Sequence, residues 1–83
     1  MSAPPNWVEV DGALEREFEL PSFPDAIAFV NRVAEAANTA NHHPDIHLEA
    51  YKTVRIVLTT HVAHGLTDAD VDLARRINSL ETT

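Results

Sequence analysis

The sequence predicts an α+β fold: a single four-stranded antiparallel sheet with helices packed on one face, in the order β-β-α-β-β-α. Two observations carry this. Stretches of alternating apolar and polar residues come in two pairs, each pair joined by a short turn signal, as in β-hairpins. Each pair is followed by a capping pattern and an apolar repeat of helical period. Helices that follow hairpins cover one face of an antiparallel sheet.

The first hairpin spans residues 7–20. Met1 to Asn6 precedes it and reads as a frayed lead-in, since Pro4-Pro5 bars regular structure. Trp7 to Val10 is β-prone, and Asp11-Gly12 is a strong hairpin-turn dipeptide. From Ala13 to Leu20 the residues Leu14, Phe18 and Leu20 alternate with Glu15, Glu17 and Glu19. Arg16 interrupts the apolar side, which suggests a place near a sheet edge.

Ser22-x-x-Asp25, with Pro24 in the first turn, opens a helix expected over Pro24 to Asn41. It carries two apolar stripes. One is Ile27, Val30, Ala34 and Ala37; the other is Ala26, Phe29, Val33, Ala36 and Ala40. One stripe can cover a sheet, and the small-residue stripe could meet a partner helix, although a single wide apolar face is the plainer reading. His43 precedes Pro44 and is pushed out of the helical region, so the helix should end near His42.

The second hairpin follows. Ile46, Leu48 and Ala50 alternate with His47, Glu49 and Tyr51, and a turn is expected near Lys52-Thr53. In the fourth strand, Val54 to Thr60, Arg55, Val57 and Thr59 share a face, with His61 in phase at the end. His64-Gly65 turns the chain. Thr67-x-x-Asp70 is a second capping box, and the last helix should run to about Leu80, burying Leu73, Ala74, Ile77 and Leu80.

Eighty-three residues allow one domain, expected over 1–83 with an ordered core of about 7–80. So small a domain buries little of its unfolded surface, and oligomerisation is the expected support because there are no cysteines to form disulfides. Their absence excludes thiolate chemistry and cysteine metal sites, and is compatible with a reducing cytosol; a cytoplasmic protein is expected. The net charge of −7 argues against binding a phosphate backbone, so no direct nucleic-acid contact is expected. No apolar run approaches a membrane span, and the start does not read as a signal peptide.

All five histidines fall between positions 42 and 64. Histidine titrates near neutrality, so such a cluster suggests proton transfer, a metal or a pH switch. Four readings compete. In the first, His42 and His61 are acid and base and His43 binds substrate, with Asp70 meeting His61 where strand and helix return on each other. In the second, His43-x3-His47 or His61-x2-His64 holds a metal, but no acidic partner completes an established pattern. In the third, the histidines and Asp70 only cap helices and turns, and Tyr51 only packs. In the fourth, the chain is an interaction module presenting its helix stripe. On the residues alone the third reading leads.

The order and spacing of Asn38, His42-His43-Pro44, Tyr51, His61 and Asp70 resemble the pterin-4a-carbinolamine dehydratases. Trp7, Phe18, Phe23, Phe29, Thr59-Thr60-His61, Gly65-Leu66-Thr67 and Asp72-Leu73-Ala74 fit as well, so the likeness covers about residues 7 to 80. The resemblance implies a dimer built by extending the sheet, or a tetramer built through helix packing. It implies a lyase that converts 4a-hydroxytetrahydropterin to quinonoid dihydropterin, recycling the cofactor of aromatic amino acid hydroxylases, with no metal or cofactor needed. By the same resemblance His42 and His61 transfer protons, Asp70 orients or charge-stabilises His61, His43 contacts the pterin and Pro44 shapes the loop. Asn38 and Tyr51 stand behind them. The alternative it allows is a non-catalytic pterin-binding or dimerisation module of the same fold.

Two positions depart from the family pattern. Asn38 stands where a charged residue is common; it is expected to orient His42, one turn later, without supplying a charge. The family's usual N-terminal helix is expected to be missing.

Overall fold

A computed structural model describes residues 3–81. The elements run β1 (Val8–Val10), β2 (Ala13–Glu19), α1 (Phe23–Ala40), β3 (Asp45–Glu49), β4 (Thr53–Leu58), a 3-10 turn (His61–Ala63) and α2 (Asp68–Leu80). The four strands form one sheet in the order β1-β2-β4-β3, antiparallel throughout. The predicted fold class and element order are those observed.

The first turn forms as its residues demand. Asp11 and Gly12 both take positive φ, 50° and 78°, as a type I′ hairpin turn needs. Across the sheet Leu14 pairs with Leu58 and Phe18 with Val54. These four are buried, while their neighbours Glu17 and Glu19 face water. Above them lie Phe29, Val33, Leu73 and Ile77 from the two helices, all part of one buried cluster. Truncating a buried phenylalanine such as Phe29 to alanine costs about 3–5 kcal/mol.

Ala26, Phe29, Val33 and Ala36 of one α1 stripe are buried together with Ala37 of the other, and Val30 packs on the same core, so α1 covers the sheet with one wide apolar face while Ile27, Ala34 and Ala40 are exposed. Small side chains let the helix lie close to the strands. Ser22 caps α1 by accepting the Asp25 N–H at 3.2 Å. At the other end α1 stops at Ala40, slightly earlier than expected. Asn41 takes the left-handed conformation at φ 52°, and His42 N–H bonds Ala37 O while Asn41 N–H bonds Asn38 O, each at 3.1 Å. This pair of bonds is a Schellman closure.

Three expectations are corrected here. The lead-in is not frayed over its described part: Pro4 is buried, and Trp7 N–H bonds Pro4 O to close a turn with Asn6 at positive φ. Met1 and Ser2 lie outside the described residues. Ahead of Trp7 the described residues hold this turn and no helix. Arg16 is not at an edge either. Its strand lies between β1 and β4, and its side chain, 10% exposed, crosses to the end of α2. There it bonds Asn78 Oδ1 at 2.6 Å and Glu81 Oε1 at 2.7 Å, with its guanidinium 4.1 Å above the Phe18 ring. Finally, the β3–β4 turn is centred slightly earlier than Lys52-Thr53. Glu49 pairs with Thr53, so Ala50, Tyr51 and Lys52 make the turn, the first two at positive φ.

Candidate active site

β4 ends at Leu58, two residues sooner than its alternation suggests. Past the Leu14–Leu58 pair only Ala13 of β2 remains before the β1–β2 turn, and the β2–β4 ladder ends there. Thr59 instead gives its hydroxyl proton to Gly12 O at 2.9 Å. Thr60 makes an isolated bridge with Gly65, which closes a tight loop over the residues between. His61 therefore lies in the 3-10 turn at the base of this loop, exposed, rather than at a strand end.

α2 begins immediately after. Its N-cap is Thr67, and Asp70, three residues on, turns back to accept the Thr67 N–H on Oδ2 at 3.0 Å. Asp70 is fully buried. Oδ2 also accepts the Thr60 hydroxyl at 2.7 Å, and Oδ1 lies 2.6 Å from His42 Nε2. Thr60 spends its single proton on Asp70, so in the 2.8 Å contact between the two threonine hydroxyls Thr67 is the donor. Burial works to raise the Asp70 pKa, but the hydrogen bonds from His42, Thr60 and the Thr67 backbone, with the charge of His42, outweigh it and hold the carboxyl below its ordinary value.

An ionised carboxylate only accepts, so His42 Nε2 carries the proton in this bond. That leaves Nδ1 as the ring nitrogen available to a ligand. The ring is 16% exposed and lines a cleft of about 360 Å³ between α1 and α2, with Thr39, Ala40, Ala69, Asp72 and Arg76. The Schellman closure anchors the His42 backbone through its N–H, and the Asp70 bond orients the ring.

The structure brings some expected site residues together and separates others. Asp70 meets His42, not His61, because the early end of β4 carries His61 past the carboxylate and leaves Thr60 facing it. Asn38 supports His43 instead of His42: Asn38 Oδ1 accepts His43 Nε2–H at 3.1 Å. The left-handed turn at Asn41 is the reason, since it takes His42 off the helix face on which Asn38 lies. His43 is exposed and Pro44 half-buried, leading into β3. Tyr51 does not join them within the chain. It sits past the opposite end of β3, about 13 Å or more away at the rise of a strand, exposed beside Lys52 Nζ at 5.7 Å from its ring. The expected Thr67–Asp70 capping box forms, whereas the part of Thr60 is not legible in the sequence, where the only signal is that it precedes His61. Among the described residues no three histidine or carboxylate side chains gather as a metal would require, and no helix is long and apolar enough to cross a membrane.

The family model described as pterin 4 alpha carbinolamine dehydratase matches residues 1–80. A protein of Nocardia farcinica provisionally named as a pterin-4-alpha-carbinolamine dehydratase is 50% identical over 76 residues, 92% of this chain and 79% of that one. A second such protein, from Gloeobacter violaceus, is 56% identical over 68 residues, 80% of this chain and 73% of that one. Among solved structures, a transcriptional coactivator/pterin dehydratase from Brucella melitensis superposes with a TM-score of 0.86 at 32% identity, covering 94% of this chain and 84% of that one. A pterin dehydratase-like RuBisCO assembly factor of the alpha-carboxysome shares the fold, with a TM-score of 0.71 at 21% identity over 89% of this chain and 84% of that one. The chain belongs to the pterin 4 alpha carbinolamine dehydratase family.

Proposed function

We infer that the chain dehydrates a 4a-hydroxytetrahydropterin to the quinonoid dihydropterin by histidine acid/base catalysis, returning cofactor to aromatic amino acid hydroxylases. Residues 1–83 act as one catalytic domain in this reading. The observation that carries it is the buried Asp70 carboxylate held on Nε2 of a partly exposed His42.

The reaction breaks the C4a–O bond, and the hydroxide leaves as water once it takes a proton. N5 loses its proton as the N5=C4a double bond forms. A proton donor and a proton acceptor suit these two steps, each worth about 10²–10⁴-fold. His42 is one, with its tautomer and ring plane set by Asp70. His61 is the other. It follows Thr60, whose hydroxyl bonds the same Asp70 carboxylate that holds His42. His43, braced by Asn38, contacts the pterin, and Pro44 fixes the loop that carries it. None of these steps calls on a metal or cofactor. The protein works as a homodimer or homotetramer; β1 and β3 both present open sheet edges, and Ile27 and Phe23 lie exposed on α1.

The second reading, a pterin-binding or dimerisation module without turnover, draws on the exposure of His61. Mixing the protein with freshly generated 4a-hydroxytetrahydropterin and following ultraviolet absorbance separates the two. Acceleration over buffer that is lost in His61→Ala supports catalysis. A folded protein with no acceleration supports the module.

A further inference from the structure

In a chain with 13 acidic residues against 6 lysines and arginines, a cation without a carboxylate partner stands out. Arg16 pairs with Glu81, Arg55 with Glu15 and Glu49, and Arg75 with Asp72. Lys52 lies over Tyr51. Arg32 and Arg76 remain: Arg32 stands 5.9 Å from the Phe29 ring centroid, and among the described residues neither forms an ion pair. They come from different helices, yet both line one hollow of about 120 Å³ between α1 and α2. Arg76 and Thr39 also line the larger cleft that holds His42. The two hollows thus form one groove, with the candidate proton-transfer histidine at one end and two guanidiniums toward the other. Glu35 is the one carboxylate in the lower hollow, so the balance there is still positive.

We propose that the Arg32–Arg76 hollow binds an anionic group on the C6 substituent of the pterin, so that this chain prefers substrates with a carboxylate or phosphate tail over those with a neutral one. The inference rests on the dehydratase reading and names its substrate class. The geometry supplies the reach. Ala69 stands beside His42 in the upper cleft, and Arg76 lies seven residues on. At the rise of an α-helix that is about 10 Å, a span that a bicyclic ring with a short side chain covers. C6 is bonded to N5, next to the reacting C4a, so a pterin with its reacting edge at His42 can send its tail along the groove. Ala36, Ala40 and Ala69 keep the walls low enough for a flat ring. Guanidinium forks suit a carboxylate or phosphate in either orientation.

The test is fluorescence titration with two stable probes, pterin-6-carboxylate and 6-hydroxymethylpterin, against the full chain. Wild type should bind the carboxylate about fivefold or more tightly, the scale of a solvent-open charge pair. Arg76→Gln and Arg32→Gln should each shrink that ratio, and the double variant should bring it to about one. Arg75→Gln removes the same charge one residue away, outside the groove, and should keep the preference. Inorganic phosphate should compete with the carboxylate probe and leave the neutral one alone. Equal affinities in wild type, or a preference that survives the double variant, overturn the proposal. If neither probe binds the folded protein, the pterin reading fails and takes this inference with it.

Discussion

His42 and Asp70 meet across two helices. The imidazole follows the end of α1, the carboxylate lies in the first turn of α2, and Nε2 stands 2.6 Å from Oδ1. Neither position is free to drift. The Schellman bond to Ala37 anchors the backbone of His42, and the capping bond from Thr67 anchors the side chain of Asp70. The ring is therefore oriented before any substrate arrives, which is what a proton-transfer group needs.

Thr60 holds the far side of that carboxylate. Replacing it by valine keeps the shape and removes the hydroxyl that Asp70 Oδ2 accepts. The expected cost is about 1–3 kcal/mol, the range for a buried group that loses a partner. It should appear as a lower urea midpoint with unchanged slope. Thr60→Ser keeps the donor and should recover most of the loss. A valine variant as stable as wild type would show that the bond contributes nothing.

Acid should unfold the protein in part through Asp70. Its folded pKa is depressed below the ordinary 3.8. Its contribution is therefore complete above the unfolded value and is withdrawn as pH falls through the lower folded one. Urea unfolding from pH 6 down to about pH 2 should show wild type losing stability below about pH 4 more steeply than Asp70→Asn. Parallel acid limbs for the two proteins would contradict this.

Asn38→Glu places a carboxylate beside His43, because Asn38 meets that ring and not His42. The pH dependence of KM should change, through the residue assigned to pterin contact, while that of kcat keeps its form. A changed kcat profile with an unchanged KM profile would return Asn38 to His42.

Asn78 joins three parts of the chain. Its side-chain oxygen accepts from Trp7 Nε1 at 2.7 Å and from Arg16 at 2.6 Å, and its nitrogen donates to Pro5 O at 3.1 Å. Asn78→Ala strands a buried indole N–H and takes one of two acceptors from a nearly buried guanidinium, which keeps Glu81. The expected loss is about 2–3 kcal/mol, read from the urea midpoint. The same network explains why residues 4 to 7 are ordered, although two prolines there bar helix and strand.

Local chemistry made much of the fold legible. Asp11-Gly12 announced its turn, Ser22 with Asp25 announced α1, and Thr67 with Asp70 announced α2, because each signal acts within four residues. Contacts across the fold were not legible in the same way. Arg16 read as a flaw in an apolar face because its partners, Asn78 and Glu81, come more than sixty residues later. Asp70 was expected at His61 because the alternation ran on through Thr59, and nothing in that pattern shows where β2 stops supplying partners. Tyr51 was grouped with the histidines by the family spacing, which holds no information on which end of β3 faces them. His42, His43, Pro44, His61 and Asp70 stand out in the sequence; the pairing among them and the part of Thr60 depend on the fold.

The most direct test is the steady-state rate of His42→Ala beside wild type on 4a-hydroxytetrahydropterin, with circular dichroism confirming the fold of both. Loss of one acid/base group predicts a fall in kcat of about 10²–10⁴-fold with KM changed far less. A folded His42→Ala protein that turns over at the wild-type rate would contradict the account, and the His42–Asp70 pair would then be a structural cap alone.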